Sequence, residues 1–317
     1  MKYFTILTGI TCLFNCLITA AAAGTATPGI SVLPVTENVY SIIAPHYGLP
    51  TPQNKGWNSN SHFVVTDDGV LVFDTGSSEA IGREILKAIE SVTEQPVRWV
   101  INSHSHADHW LGNSVFADAG ANILSTSEAV VVMAKEGHDV ASLFTQATAG
   151  HAVTEKISIP QTFLEPQKVR RFGSTEVEFI LSNDGHSPGD VLMWLPQQKV
   201  IFGGDVLSSD WLPIMTPRGR LPELIATLEL VRGLEPEYVL TGHGSVTSVE
   251  SLERDIRFLT TAWAAVREGY HSGNSKAAIL NQIKANLGPV YQNQYQDFET
   301  NIGYLIEMMY RKLKKAE

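Results

Sequence analysis

Apolar residues run through "ISVLPVTENVYSIIAP" (30–45) and predict an extended strand, while "SHFVVTDDGVLVFDTG" predicts two more, joined by a tight turn at Asp67, Asp68 and Gly69. A Pro/Gly-rich loop, "HYGLPTPQNKGWNSN", lies between them. From about Ser78 to Val92 the period becomes helical, with Ile81, Ile85, Ile89 and Val92 on one face. "VRWVIN" is then a short buried strand that ends directly before His104. Helices over about 110 to 117 and 127 to 136 flank the strand "ANILS". Strands follow near 168–172, 175–182, 190–195 and 199–203, then a helix from about Leu221 to Gly233 and the strand "YVLTG".

Strand runs with helices outside them predict an α/β fold in layers, a sandwich rather than one doubly wound sheet. The segments "GVLVFDTGSS" and "KVIFGGDVLSS" echo one another, each a strand running into an aspartate. From Thr247 the pattern is all-helical. "TSVE" reads as a capping box in which Thr247 and Glu250 satisfy each other's backbone donors. Val249, Leu252, Ile256, Leu259, Trp263, Val266 and Tyr270 then repeat in steps of three and four, a stripe for core or subunit contact. A last helix carries Ile302, Leu305, Ile306, Met309 and Leu313 and ends in the basic "RKLKK". The expected organisation is a leader over 1–23, a sandwich over 24–246 and a helical extension over 247–317 that could also pair two copies of the chain.

The leader expectation rests on "MKYFTILTGITCLFNCLITAAAAG": one cation at Lys2, an apolar run, and small residues ending at Ala23. This is the layout of an export signal, which places the mature protein in a periplasm or outside the cell; a retained membrane anchor is the alternative. The residues ahead of Cys12 and Cys16 do not suit lipidation. Both cysteines of the 317-residue chain lie in this segment, so a processed protein would have no thiol and no disulfide. Without Lys2 the chain has 22 basic residues against 33 acidic ones, which argues against nucleic acid as a partner; no stable membrane insertion is expected once the leader is cleaved.

The chemistry concentrates in four strand-end loops. "INSHSHADHW" brings His104, His106, Asp108 and His109 into six positions; "GHSPGD" carries His186, "IFGGDVL" carries Asp205 and "LTGHGS" carries His243. Imidazole and carboxylate are standard metal donors. Alternate residues of an extended loop point the same way, so His104 and His106 can grip one ion while Asp108 and His109 address a second. His186 would complete the first site and His243 the second, with Asp205 bridging them. Asp74, at the end of "VLVF", is a candidate to orient a ligand histidine or the loop backbone, with a plain turn residue as the alternative. His46, His62, His138, His151 and His271 are read as ordinary core or surface histidines.

The H-x-H-x-D-H run, with "FDTG", "GHSPGD", "FGGD" and "TGHG", resembles the metallo-beta-lactamase-fold hydrolases over roughly residues 60 to 245, and within them the glyoxalase-II-like and quinoprotein-relay type of exported branch. The resemblance implies a four-layer αβ/βα sandwich. It implies two zinc ions (iron or manganese being alternatives) held by His104, His106, His186, Asp108, His109, Asp205 and His243. It also implies a metal-bridged hydroxide attacking the carbonyl of a small ester, thioester, lactone or amide, with Asp108 orienting the attack.

Asp205 stands where many lactamases of the fold have a cysteine or a non-bridging residue, which favours the bridged, glyoxalase-like centre while leaving beta-lactamase activity as an alternative. A glutathione thioesterase would need a basic pocket that the extension does not offer, and export would separate it from its substrate. A non-catalytic metal-binding accessory protein is a further alternative, opposed by the presence of Asp108. An iron centre with redox chemistry is opposed by the all-imidazole character of the first loop apart from Asp108. Candidate substrate walls are Trp57, Trp110 and Trp211, with His46, Tyr47, Met215, Arg218 and Arg220 nearby in sequence.

Overall fold

The computed structural model describes residues 31–45, 48–165, 169–182 and 184–316. The leader expectation, and with it His46 and Tyr47, lies outside these. Two mixed sheets face one another. The first has seven strands in the order β1 (Val32–Pro34), β2 (Val39–Ile42), β3 (Ser61–Thr66), β4 (Gly69–Phe73), β5 (Val97–Ile101), β6 (Asn122–Ser125) and β7 (Thr162–Phe163). The second has five, with β12 (Tyr238–Leu240), β11 (Val200–Phe202), β10 (Asp190–Leu195), β9 (Thr175–Ser182) and β8 (Val169–Phe172) side by side.

Both faces of the central strands are covered, which explains their unbroken apolar runs. In β4, Leu71 and Phe73 face the second sheet, while Val70 and Val72 pack under the helices α1 (Glu79–Glu90) and α3 (Asn113–Asp118). In β10, Val191, Met193 and Leu195 face inward, and Leu192 and Trp194 face out toward α5 (Leu221–Gly233), α6 (Val249–His271), α7 (Lys276–Tyr291) and α8 (Phe298–Ala316). The order of layers is therefore helix, sheet, sheet, helix. The stripes of α6 and α8 are spent inside the chain: Leu252, Ile256, Leu259, Val266, Ile302, Leu305, Ile306 and Met309 share one core with the outer face of the second sheet. Among the described residues no helix is long and apolar enough to cross a membrane.

The structure corrects three local expectations. The single strand over 30–45 is a hairpin: Val35 and Thr36 donate to the Val39 carbonyl, and Val32, Leu33 and Pro34 pair back onto Ile42, Ser41 and Tyr40. The polar Thr36, Glu37 and Asn38 mark its turn. The α6 cap is Ser248, not Thr247, because Thr247 is taken up in an antiparallel bridge to Val239; the Ser248 hydroxyl donates to Glu250. The helix expected to stop near 136 is α4 (Ser127–Ala147). It contains Gly137, where a Cβ would lie 2.9 Å from the Trp110 ring, so this glycine permits a close approach rather than ending the helix.

Candidate metal centre

Strand β5 delivers the chain into 102–106 and the short helix α2 (Ala107–Trp110), which place His104, His106, Asp108 and His109. The turn between β9 and β10 carries His186. Its backbone is held by Asp190, whose carboxylate accepts the N–H groups of His186 at 2.8 Å and Ser187 at 2.9 Å. Burial pushes the Asp190 carboxyl up to about 7 against the pull of these donors. Asp205 sits in the 3-10 turn after β11, and His243 follows β12.

These loops converge on two donor groups: His104, His106, His186 and Asp205, then Asp108, His109 and His243. In the first, His106 Nδ1 lies 2.8 Å from His104 Nε2 and 3.2 Å from His186 Nε2. Asp205 Oδ2 lies 3.6, 4.0 and 3.5 Å from the ring nitrogens of His104, His106 and His186. In the second, Asp108 Oδ2 is 3.7 Å from His109 Nε2 and 3.5 Å from His243 Nε2. Asp205 Oδ1 is 3.2 and 3.3 Å from those same nitrogens. One carboxylate thus turns one oxygen to each group. Donors bound at about 2.0–2.1 Å around a tetrahedral ion stand roughly 3.3 Å apart, and these spacings bracket that value.

Hydrogen bonds fix the ring tautomers. His109 Nδ1 donates to Asp74 Oδ2 at 2.8 Å, His186 Nδ1 to the Ile214 carbonyl at 2.7 Å, and His243 Nδ1 to the Asn58 carbonyl at 2.6 Å. The Ser103 hydroxyl donates to Asp74 Oδ2 and accepts from His104 Nδ1 at 2.9 Å. With Nδ1 committed in each of these four rings, Nε2 is the nitrogen turned to the centre, the arrangement a metal ligand needs. Two buried atoms, His109 Nε2 and Asp205 Oδ1, have no hydrogen-bond partner. Buried polar atoms left unpaired cost about 1–3 kcal/mol each, and a cation between them removes that cost. The donor set fits two cations.

The electrostatics agree. Burial depresses His104, and His186 to about 4, so both are neutral at physiological pH. Burial opposes charge on His109, yet Asp205, Asp108 and Asp74 raise it well above the ordinary histidine value. Burial likewise works against ionised Asp205, but His243, His109 and His104 hold it well below the usual carboxylate range. The carboxylates that favour a proton on His109 would equally favour a divalent cation, which would displace that proton and leave the ring nitrogen as a donor. Close packing preserves the geometry: a Cβ on Gly242 would fall 2.2 Å from Asp205 Oδ1 and 3.0 Å from the His109 ring.

His62 lies outside the donor groups and is a core residue. Its Nε2 donates to the Thr241 carbonyl at 3.1 Å and its Nδ1 accepts from the Ser41 hydroxyl at 2.7 Å. Burial, opposed by Thr241 and aided by the nearby His109, lowers it to about 4. An unfolded His62 protonates near its ordinary 6.5, so the folded state keeps its full advantage above that pH and loses about 3 kcal/mol as pH falls from 6.5 to about 4. His62→Gln is expected to flatten this acid-side loss in denaturation curves taken across that range; an unchanged slope would exclude His62 as its source.

The expected wall residues divide. Trp110 is 0% exposed, its indole N–H donating to the Ser105 carbonyl and its ring packed on Ala129 and Met133, so it is core and cannot line a substrate pocket. Trp57 packs half-buried against the helix-side core of the first sheet. Trp211 stacks on His243, ring centroids 6.0 Å apart and planes at 29°. Met215 is buried, and Arg218 is tied to Glu136.

The profile of the metallo-beta-lactamase superfamily matches residues 54–243, the segment that contains every donor above. The chain belongs to this superfamily. It is 24% identical over 180 residues to a type 2 metallo-beta-lactamase of Bacillus sp. (strain 170), covering 57% of this chain and 61% of that protein. It is 21% identical over 239 residues to the linear primary-alkylsulfatase of Pseudomonas sp. (strain ATCC 19151), covering 65% of this chain and 45% of that protein. The fold is similar to a solved metallo-beta-lactamase from Pontibacter korlensis, with a TM-score of 0.59 and 19% identity, covering 73% of this chain and 99% of that one. The chain thus spans about 61% of the Bacillus relative and less of the alkylsulfatase.

Supporting residues within the superfamily segment escaped the sequence reading. Asn58 donates to Asp108 Oδ2 at 2.9 Å and offers its carbonyl to His243. Asn60 donates to the carbonyls of Thr241 and Gly244 at either side of that histidine. Their only signal is a run of small polar residues, "NSNS", directly before a buried strand.

Proposed function

We propose that the chain is an exported, dinuclear zinc-dependent hydrolase of small carbonyl compounds, in the manner of the glyoxalase-II-like branch. The observation that carries this reading is Asp205, which aims one oxygen at each of two imidazole groups whose tautomers are already set. Export rests on the leader-like run before Gly24.

Zinc held by these residues would supply Lewis acidity, lowering the pKa of water toward about 7 and polarising a substrate oxygen. The chain's own residues do the rest. Asp108 is held by the Asn58 amide with its Oδ2 beside His243, placed to take and return a proton. His106, with 38% of its side chain exposed, is the open side of the first group, from which substrate approaches. His104 and His109, both buried, keep water away from the opposite side. Trp211 offers an aromatic wall beside His243.

Asp205 would offer oxygen rather than sulfur to a metal in either group, and no cysteine follows Cys16. This favours esters, thioesters and lactones over the reaction named for the Bacillus relative, though that likeness makes beta-lactam cleavage the second reading. The test strips metal with a chelator, restores zinc, and assays thioesters, lactones, beta-lactams and alkyl sulfates. Zinc-restored turnover is expected to be greatest on a thioester or lactone. Turnover confined to beta-lactams would move the assignment to the second reading, and turnover of sulfate esters alone would sink both.

A further inference from the structure

The loop over 205–214 has an unusual density of duties. It begins at Asp205, which faces both donor groups. Trp211 stacks on His243, and the Ile214 carbonyl accepts from His186 Nδ1. Small displacements of this one segment therefore move a bridging carboxylate and two ligand rings together.

The loop is held from outside the superfamily segment. Leu212 N donates to Asp297 Oδ1 at 2.8 Å, and Gln296 N donates to the Asp210 carbonyl at 2.7 Å. The Gln296 side-chain amide donates to Asp210 Oδ2 at 2.7 Å. The Ser208 hydroxyl donates to Asp255 Oδ2 at 2.6 Å, and Asp255 is itself fixed by the Tyr295 hydroxyl at 2.7 Å and by Arg254. Asp297, Gln296, Tyr295 and Asp255 all follow residue 243, where the superfamily match ends. Asp297 is buried, at the turn between α7 and α8, and Asn301 donates to its other oxygen at 2.7 Å. A buried carboxylate costs desolvation, and here one of its oxygens is committed to a backbone N–H of the loop, which fixes a segment whose position matters.

We infer that the C-terminal helices are a positioning element for the metal centre, with Asp297 as the positioning residue that acts through the 205–214 loop on His186 and His243. This rests on the two-cation reading above. The Asp297 carboxylate fixes Leu212, and the loop then presents Trp211 to His243 and the Ile214 carbonyl to His186 in the orientations the ions require. The extension is needed for tight binding at a centre it never touches.

The test is zinc affinity by competition with a chromophoric chelator, on the full chain, for wild type, Asp297→Asn, Asp297→Ala, Gln296→Ala and a control. Asp297→Asn keeps an acceptor oxygen for Leu212 N and serves as the conservative rescue. Leu305→Ala is the control, because it opens a cavity in the same helical core without removing a hydrogen bond to the loop. Asp297→Ala is expected to weaken zinc binding roughly tenfold, with Gln296→Ala smaller in the same direction and Asp297→Asn near wild type. Leu305→Ala is expected to lower the melting temperature and leave zinc affinity unchanged. Wild-type affinity in a folded Asp297→Ala protein, or an equal loss in Leu305→Ala, would overturn the inference. Failure of wild type itself to bind zinc would instead overturn the underlying reading. Should Asp297→Ala not fold, Gln296→Ala decides the matter in the same assay.

Discussion

Asp205→Asn is expected to reduce bound zinc from two ions per chain to at most one and to lower turnover on the order of a thousandfold, with the fold retained. Two divalent cations would bring four positive charges into a pocket whose donor set has two carboxylates, Asp205 and Asp108, beside five imidazoles. Asparagine keeps the shape but removes half of that compensating negative charge. It also turns an amide NH2, a donor, toward ring nitrogens whose lone pairs it can occupy in place of a cation. The fold should survive because Asp205 Oδ1 holds no hydrogen-bond partner in the protein, so no structural bond is lost there. Elemental analysis with circular dichroism on the same sample checks both halves. Full zinc content with wild-type turnover would show that Asp205 does not bridge.

Asp74→Asn is expected to weaken zinc binding ten- to a hundredfold, by an indirect route. Asp74 is buried and accepts three hydrogen bonds: from Ser103 N at 2.7 Å, from the Ser103 hydroxyl at 2.7 Å and from His109 Nδ1 at 2.8 Å. Through Ser103 it also fixes His104, so one carboxylate sets a ring in each donor group. Asparagine can accept on one oxygen, but its NH2 meets a donor on the other side. The relief open to His109 is to move its proton to Nε2, which removes the lone pair the second group needs. Asp74 has φ 64°, a left-handed conformation that asparagine tolerates, so backbone strain does not confound the comparison. Chelator competition reads the affinity. Wild-type affinity in Asp74→Asn would mean that the tautomers are set by something else.

The four ligand loops were legible because each ligand follows a strand end or sits between glycines, where chain turning and side-chain chemistry coincide. The α6 stripe was legible because steps of three and four survive in any helix with one buried face. Asn58, Asn60 and Ser103 were not, since small polar residues in a loop look the same whether they hold a ligand or only water. Trp110 was misread because neighbours along a one-turn helix point about 100° apart: His109 faces the centre and Trp110 faces α4. The extension's helices could be read, but their hold on the 205–214 loop could not. Bonds from Asp297 to Leu212 and from Asp255 to Ser208 cross distances in sequence that no local pattern encodes.

The proposal that two cations would share the Asp205 carboxylate between two imidazole groups is what the rest of the account stands on. The most direct test is zinc titration of the metal-stripped wild-type chain beside Asp205→Asn. Two tight equivalents in wild type and one or none in the variant are the predicted result. A folded wild-type protein that saturates with a single equivalent, or takes up none, would contradict it.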